Sequence, residues 1–195
     1  MRKVGSCSRW ALVMAFLCAL SAGARAAAEP RSAASGTSES RPSDPWAGWR
    51  FVIGDFIGEG TGRPCEATGG FSFAEELGGR ALVRHSHADY PPVGGKPAYH
   101  HEDLMLVYRE AGAADASALY LDNEGHVIHY TARLATGGDT LAFQSLPAPA
   151  LPGYRFTYMK AGARALRFTF EIAPPARPDS FSVYLTGTAR RRTSR

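Results

Sequence analysis

The runs FSFAEELGGRALVRHSHADYP (71–91), KPAYHHEDLMLVYRE (96–110) and SALYLDNEGHVIHYTAR (117–133) decide the fold of this chain. Each run alternates along its length with a period of two. The breaks between them hold turn residues: Gly78-Gly79, Pro91-Pro92 and Asn123-Glu124-Gly125. Short alternating runs joined by tight turns predict consecutive β-hairpins, and consecutive hairpins form an antiparallel meander.

Outside this stretch the same alternation continues, so the chain as a whole is predicted to be all-β. The predicted strands cover 55–62, 69–77, 80–88, 99–109, 117–122, 126–135, 140–145, 154–161, 165–172 and 180–190. An open sheet of this size would expose its edges, so we expect a single antiparallel up-and-down β-barrel of about 8–10 strands. Its interior either fills with side chains or holds one small ligand. A two-sheet sandwich is the alternative.

A short N-terminal helix is expected over 45–53, because Asp44 is a favourable N-cap and Pro45 suits the first helical position. Its large apolar side chains, Trp46, Trp49 and Phe51, are predicted to plug one end of the barrel. The predicted barrel domain spans 44–190, and a basic tail follows at 191–195.

The first 26 residues have the features of a secretory signal peptide. A basic start is followed by about a dozen apolar residues and by Ala24-Arg25-Ala26, a small-x-small cleavage site, and the apolar run is too short to span a bilayer. Residues 27–43, rich in Ala, Ser and charge, are expected to be a disordered linker. We therefore expect a periplasmic or secreted protein without stable membrane insertion.

The basic excess of the sequence belongs to its two ends. The first 26 residues hold four of the 22 basic residues and none of the 18 acidic ones, so the remainder carries 18 of each. The barrel domain has no basic face with interleaved aromatic residues, so no nucleic-acid partner is expected. Cleavage also removes Cys7 and Cys18, which leaves Cys65 alone and predicts no internal disulfide.

All six histidines lie in the stretch that decides the fold. His85 and His87 are two apart on one strand, so they share a face, and Ala81 and Val83 on that face indicate that it is the inner one. His126 and His129 are an odd distance apart and are expected to point to opposite faces.

The run 99–109 carries apolar residues on both faces, so alternation does not identify which face points inward. His101 and Asp103 share one face with Met105 and Val107. The other face carries His100, Glu102, Leu104, Leu106 and Tyr108. If Glu75 lies inside with Phe71 and Phe73, Arg84 or another cation must compensate its charge, because an isolated buried charge is costly.

Two interpretations of the histidines follow. A His-x-His pair with a third histidine or a carboxylate would suit zinc. Alternatively, the histidines are polar groups near the barrel mouth, hydrogen-bonded to Asp89, Glu102 or Asp103. We adopt the second and assign no metal ligand, with zinc kept as the alternative.

Known catalytic motifs are incomplete in this sequence. HSHAD (85–89) matches the start of the metallo-β-lactamase signature, but Tyr90 stands where a histidine is needed and no histidine follows His129. No Gly-x-Ser-x-Gly elbow is present. The glycine-rich run 58–62 lacks the Lys-Ser/Thr of a phosphate-binding loop. No catalytic residue is assigned.

The segment FVIGDFIGEG (51–60) resembles the opening of nitrobindin-like and fatty-acid-binding-like barrels. HSHADYP (85–91), HHEDLM (100–105), YLDNEGHVIHY (120–130) and FEIAPP (170–175) resemble uncharacterised secreted bacterial proteins of lipocalin-like type, over about 46–190. This resemblance implies a calycin-like barrel with a cavity for an apolar small molecule. Nitrobindins hold haem through a late histidine. Here Phe181, Val183 and Leu185 occupy that region, so haem is not expected.

We therefore expect an exported barrel that binds a small apolar or amphipathic ligand in its interior. The predicted walls are aromatic: Phe71, Phe73, Tyr120, Tyr130, Phe143, Phe156, Phe168 and Phe170. The predicted polar contacts are Arg84, His85, His87, His101 and Glu102. The alternatives are an enzyme that uses the cavity histidines and glutamate as base and acid, and a filled barrel with a structural or interaction role. Ligand identity and oligomeric state stay open.

Overall fold

The computed structural model describes residues 44–62, 66–148 and 150–193. It contains one 3-10 helix, η1 (Ala47–Trp49), and ten strands. These are β1 (Gly54–Gly62), β2 (Ala67–Glu76), β3 (Ala81–Tyr90), β4 (Tyr99–Tyr108), β5 (Ala116–Asp122), β6 (Val127–Leu134), β7 (Thr140–Ser145), β8 (Gly153–Lys160), β9 (Ala165–Ala173) and β10 (Ser182–Arg191). The predicted signal peptide, linker and Cys65 lie outside the described residues. Among those described, no helix has the length and apolar composition needed to cross a membrane.

The ten strands form a closed antiparallel barrel in which each strand pairs with its neighbours in sequence and β1 pairs with β10. The closing pair runs in register from Phe56 opposite Arg191 to Gly62 opposite Leu185. The predicted up-and-down barrel is confirmed and the two-sheet alternative is wrong. Closure gives the two terminal strands a partner each, so neither is left with an unpaired edge.

The segment before β1 closes one end of the barrel. Asp44 accepts a hydrogen bond from the Trp46 backbone N–H at 2.9 Å, but it is not the N-cap: Trp46 holds that position, and η1 begins at Ala47 without a side-chain cap. Trp46 and Trp49 are fully buried with their rings 5.2 Å apart, and the Trp46 indole donates to the Gly79 carbonyl at 2.7 Å. The predicted tryptophan plug is confirmed, although the helix is shorter than 45–53. Phe51 is half-buried against the core.

Strand alternation and register identify the inward faces. Near the plug the inward side chains are buried and pack around Tyr158, whose ring contacts Phe71, Phe73 and Phe143. The others in this half include Phe56, Leu82, Val107, Leu141 and Leu166. Packed side chains, many of them aromatic, fill this half of the barrel.

Towards the opposite end the inward side chains are only half-buried. They include Ala88, His101, Ile128, Tyr154, Phe156, Phe168, Phe170 and Leu185. These residues alternate with outward-facing ones on continuous strands, so solvent reaches them through the mouth of the barrel. We call this part the open half. The connections β1–β2, β3–β4, β5–β6, β7–β8 and β9–β10 surround its mouth.

Gly187 on β10 makes room for one of the rings in the open half. A Cβ atom on Gly187 would lie 2.3 Å from Cζ of Phe168 and 2.5 Å from the Glu59 carbonyl oxygen. Any larger residue therefore forces the ring and the β1–β10 pair apart.

Gly187→Ala is expected to destabilise the protein by about 1–3 kcal/mol, because overpacking shifts side chains and backbone. Urea unfolding measures this change. Gly137→Ala is the matched control: its nearest neighbour would be 3.5 Å from the new Cβ, so a change within about 0.5 kcal/mol is expected. Adding Phe168→Leu should recover part of the loss, and no recovery would show that the ring is not the obstacle.

Candidate functional site

One wall of the open half is aromatic. Phe156 on β8 and Phe168 on β9 are stacked with centroids 6.1 Å apart and planes 9° apart. Tyr154 and Phe170 repeat this arrangement nearer the mouth, at 5.9 Å and 7°. Tyr184, beside a register shift in β10, packs edge-on against Phe170 at 6.0 Å. The wall therefore presents two layers of parallel rings, a surface suited to flat or extended apolar groups.

The other wall is polar and comes from β4, β5 and the turn that follows β5. Asp103 lies opposite Asp122 in the β4–β5 register, and Met105 lies opposite Tyr120, so all four side chains face inward. His101 precedes Asp103 on the same face. Its two ring nitrogens contact Glu124 Oε1 at 2.7 Å and Tyr120 Oη at 3.2 Å.

A buried ion pair forms the floor of the open half. Arg84 Nη1 donates to Asp103 Oδ1 at 2.7 Å, and their side chains are 6% and 4% exposed. The guanidinium lies 5.2 Å from the Phe156 centroid, so Arg84 crosses from β3 to the aromatic wall. The Asp103 carboxylate offsets the effect of burial and raises the pKa of Arg84 above its ordinary value. Arg84 therefore stays charged.

The β5–β6 turn is fixed against β4 beside His101. The Asn123 side chain donates to the His100 carbonyl at 3.0 Å and accepts from the Glu102 backbone N–H at 3.1 Å. Asp122 Oδ1 accepts the backbone N–H groups of Glu124 and His126 at 3.0 and 2.9 Å. The turn therefore holds Asp122 and Glu124 near the imidazole of His101.

The environment of His101 favours its protonated form. The hydrogen bond with Asp103 raises the pKa of His101, and Glu124 adds to this, against the opposing effect of partial burial. The hydroxyl groups of Tyr120, Tyr130 and Tyr158 are held neutral, because burial raises each pKa well above its usual value of 10. The polar wall thus combines carboxylates with an imidazole that readily takes a proton.

The structure brings most of the predicted contact residues to the interior, in two groups. Arg84, His101, Tyr120, Phe156, Phe168 and Phe170 border the open half. Phe71, Phe73, Tyr130 and Phe143 are buried in the core.

The expected inner position of His85 and His87 is wrong. His85 pairs with Ser72 and His87 with Gly70, so both lie on the outer face, whereas Arg84 and Ser86 pair with inward Phe73 and Phe71. Ala81 misled the sequence argument, because it is buried at the end of β3 without facing the interior core. Glu102 also faces outward, so it cannot pair with His101 as a base and an acid within the cavity.

Two further details bear on the expectations for the charged and histidine side chains. Glu75 has a compensating cation other than Arg84, because Arg50 from the plug segment pairs with it. On the outer face, His100 hydrogen-bonds to Asp89 at 2.6 Å and its ring lies 6.2 Å from that of His87. This agrees with the interpretation of the histidines as hydrogen-bonded polar groups.

Asp103, Asp122, Glu124 and Tyr154 border the site but were not among the predicted contacts. Asp103 shares a strand face with His101, Met105 and Val107. This would have predicted its position, but alternation alone did not show which face of that strand points inward. Asp122 and Glu124 were assigned to turn chemistry. Asp122 does accept the turn N–H groups. The turn pattern in the sequence does not show that these carboxylates also lie near His101.

A broad depression of about 970 Å³ lies on the outer side of the barrel, across β9, β10, β1, β2 and β3. Its lining includes the cross-strand neighbours Arg167, Thr188, Glu59, Thr68 and Asp89. None of the predicted contact residues lines it. Ligand pockets bury most of a ligand's surface, whereas this depression is wide and open to solvent.

Removing one member of the buried ion pair is expected to cost about 3–5 kcal/mol of unfolding free energy, since the partner stays buried and unpaired. Arg84→Met and Asp103→Leu test this in urea unfolding. The double variant should recover most of the loss, because apolar side chains then replace both charges. Additive losses would contradict the pairing. Arg133→Met, which breaks the surface pair with Asp115, serves as the control and should leave the unfolding midpoint nearly unchanged.

In chelator-treated protein, His101 is expected to titrate above the pKa of about 6.5 of an exposed histidine. Histidine NMR measures this directly. A raised folded-state pKa means that the stabilisation is complete below about pH 6.5 and is lost as pH rises through the folded value. Glu124→Gln should lower the pKa of His101. A wild-type value at or below 6.5 would contradict the described contacts.

No family model and no curated protein sequence matches this chain. Among solved structures, the crystal structure of Rv2717c from M. tuberculosis is similar with a TM-score of 0.56 and 14% identity, over 76% of this chain and 97% of that chain. The structure of EF1p2_mFAP2b bound to DFHBI has a TM-score of 0.34 and 15% identity, over 74% and 97%. The second score is too low to inform the fold or the site. The closed ten-strand barrel and the first similarity fit a lipocalin-like or fatty-acid-binding-like barrel fold.

Proposed function

We propose that this protein binds a small amphipathic molecule in the open half of its barrel. The observation that carries the proposal is the pairing of two unlike walls. Two layers of half-buried rings stand across the barrel from a cluster of carboxylates and an imidazole. A ligand with an apolar body and a polar end satisfies both walls, and such pockets combine apolar lining with a few fixed polar groups.

The filled half limits how deeply the ligand enters. The Arg84–Asp103 pair forms the floor of the open half, and its guanidinium lies over the Phe156 ring of the aromatic wall. Displacing that pair would leave two buried charges without partners, at a cost of several kcal/mol. The ligand therefore rests above this floor, with its apolar body against Phe168 and Phe170.

The charge of the polar wall selects the polar end of the ligand. Three carboxylates, of Asp103, Asp122 and Glu124, lie at the polar wall, and Arg84 pairs with the first of them. Negative charge therefore exceeds positive charge among these groups unless the histidines are protonated. A cationic group gains Coulomb energy from these carboxylates and interacts favourably with the faces of aromatic rings. An anionic end group meets repulsion instead.

A matched pair of probes tests both the site and this preference. In chelator-containing buffer at pH 8, 2-naphthylmethylammonium should bind with one-to-one stoichiometry, at least about tenfold more tightly than 2-naphthoate. A tenfold difference corresponds to about 1.4 kcal/mol. Isothermal titration calorimetry measures both affinities. Equal affinities or a preference for the carboxylate would overturn the charge argument.

Ala88→Phe locates the binding site, because Ala88 faces the open half beside His101. The added ring should occupy the ligand volume and weaken binding of the ammonium probe at least tenfold. Ala74→Phe makes the same change on the exposed outer face of β2 and should leave binding unchanged. If Ala88→Phe folds normally and binds like wild type, the ligand does not occupy the open half.

A further inference from the structure

Three different metal-ligating side chains converge at the rim of the polar wall. His101, Asp122 and Glu124 each offer one ligand atom, and these atoms lie within 4.8 Å of one another. The group joins an imidazole from β4 to two carboxylates from the end of β5 and its turn. Imidazole with carboxylate oxygen is a donor set that suits zinc and similar first-row divalent ions.

The protein backbone holds these ligands in place before any ion arrives. Asn123 bonds to the backbone on both sides of His101, through the His100 carbonyl and the Glu102 N–H. The Asn123 N–H also donates to the Glu102 carbonyl at 3.0 Å. Because the turn and the strand are tied at this point, a metal ion would not have to order the loop in order to bind.

The surroundings of His101 supply the outer contacts that metal-binding histidines usually have. When its Nδ1 faces Glu124, its Nε2 lies 3.2 Å from Tyr120 Oη and 3.4 Å from Asp103 Oδ2. Asp103 is fixed in turn by Arg84. A histidine ligand commonly directs its second nitrogen to a carboxylate, which sets the tautomer and the ring orientation.

Charge balance is the second, independent argument for a cation. The side chains of Asp103 and Asp122 are only 4% and 3% exposed, and Glu124 joins them at the rim. Arg84 balances Asp103, whereas the ion pairs that Asp122 and Glu124 make within the described part of the chain are with the histidines His126 and His101. Buried carboxylates are stable when paired or when they coordinate a metal.

We propose that His101, Asp122 and Glu124 form a binding site for one divalent zinc-type ion. His126, whose Nδ1 lies 2.8 Å from Asp122 Oδ2, is close enough to serve as a fourth ligand after a rotation of its exposed side chain. With three protein ligands, the ion retains a coordination position for water or for a donor atom of a bound molecule. This inference does not depend on ligand binding in the open half.

Zinc titration of the untagged, chelator-treated protein tests the proposal by calorimetry, in the absence of any organic probe. We expect one ion per chain in the wild type. His101→Gln and Glu124→Gln should each weaken zinc binding at least tenfold. His129→Gln is the matched control, because His129 is exposed on the outer face of β6, and should leave the affinity unchanged. Calcium at millimolar concentration should not displace the zinc, because calcium prefers all-oxygen sites.

Cobalt substitution distinguishes a residue that coordinates the ion from one that only supports the fold. The visible absorption of bound Co²⁺ should be lost in His101→Gln and retained in His129→Gln. Glu124→Gln controls for misfolding, because the Glu124 side chain is 42% exposed and its replacement should not disturb the core. Unchanged zinc affinity in both ligand variants, or no stoichiometric zinc binding in the wild type, would overturn the proposal.

Discussion

The Arg84–Asp103 ion pair is the constraint on which the internal organisation of this barrel depends. Both side chains are almost entirely removed from water, so each is stable only because the other is present. The pair joins β3 to β4, and the guanidinium reaches the Phe156 ring on β8. Side chains on the plug side are apolar and buried. Those on the mouth side are half-buried and include the polar wall.

The repeating alternation of short strands was enough to predict the fold. Ten antiparallel strands were expected and are present, and the predicted 140–145 strand coincides with β7 (Thr140–Ser145). Closure followed from the cost of exposed edges, which is a general constraint. The tryptophan plug was also foreseen, because Trp46 and Trp49 are too apolar for an exposed N-terminal segment. Such features depend on local sequence and need no knowledge of distant contacts.

The site was predicted only in part, because alternation identifies two faces and does not say which one is inside. In β3 the apolar residues Ala81 and Val83 lie on the outer face, whereas the inner face carries Leu82, Arg84 and Ser86. A buried arginine is uncommon, so a pattern-based argument favours the wrong face. Only cross-strand pairing with Phe71 and Phe73 resolves this, and register is a tertiary property. The proximity of Glu124 to His101, 23 positions earlier, is likewise set by the turn contacts of Asn123.

The two halves of the barrel are suited to different roles. The filled half supplies the stability that allows the other half to remain open, and the polar wall concentrates carboxylates beside the aromatic wall. The measurement that tests this division most directly is methyl NMR with a soluble gadolinium chelate. Methyl groups of Ile128 and Leu185 should relax faster with the chelate, while those of Leu82, Val107 and Leu141, all fully buried, should be unaffected. Equal protection of both groups would mean that the barrel is filled throughout, which contradicts an open half.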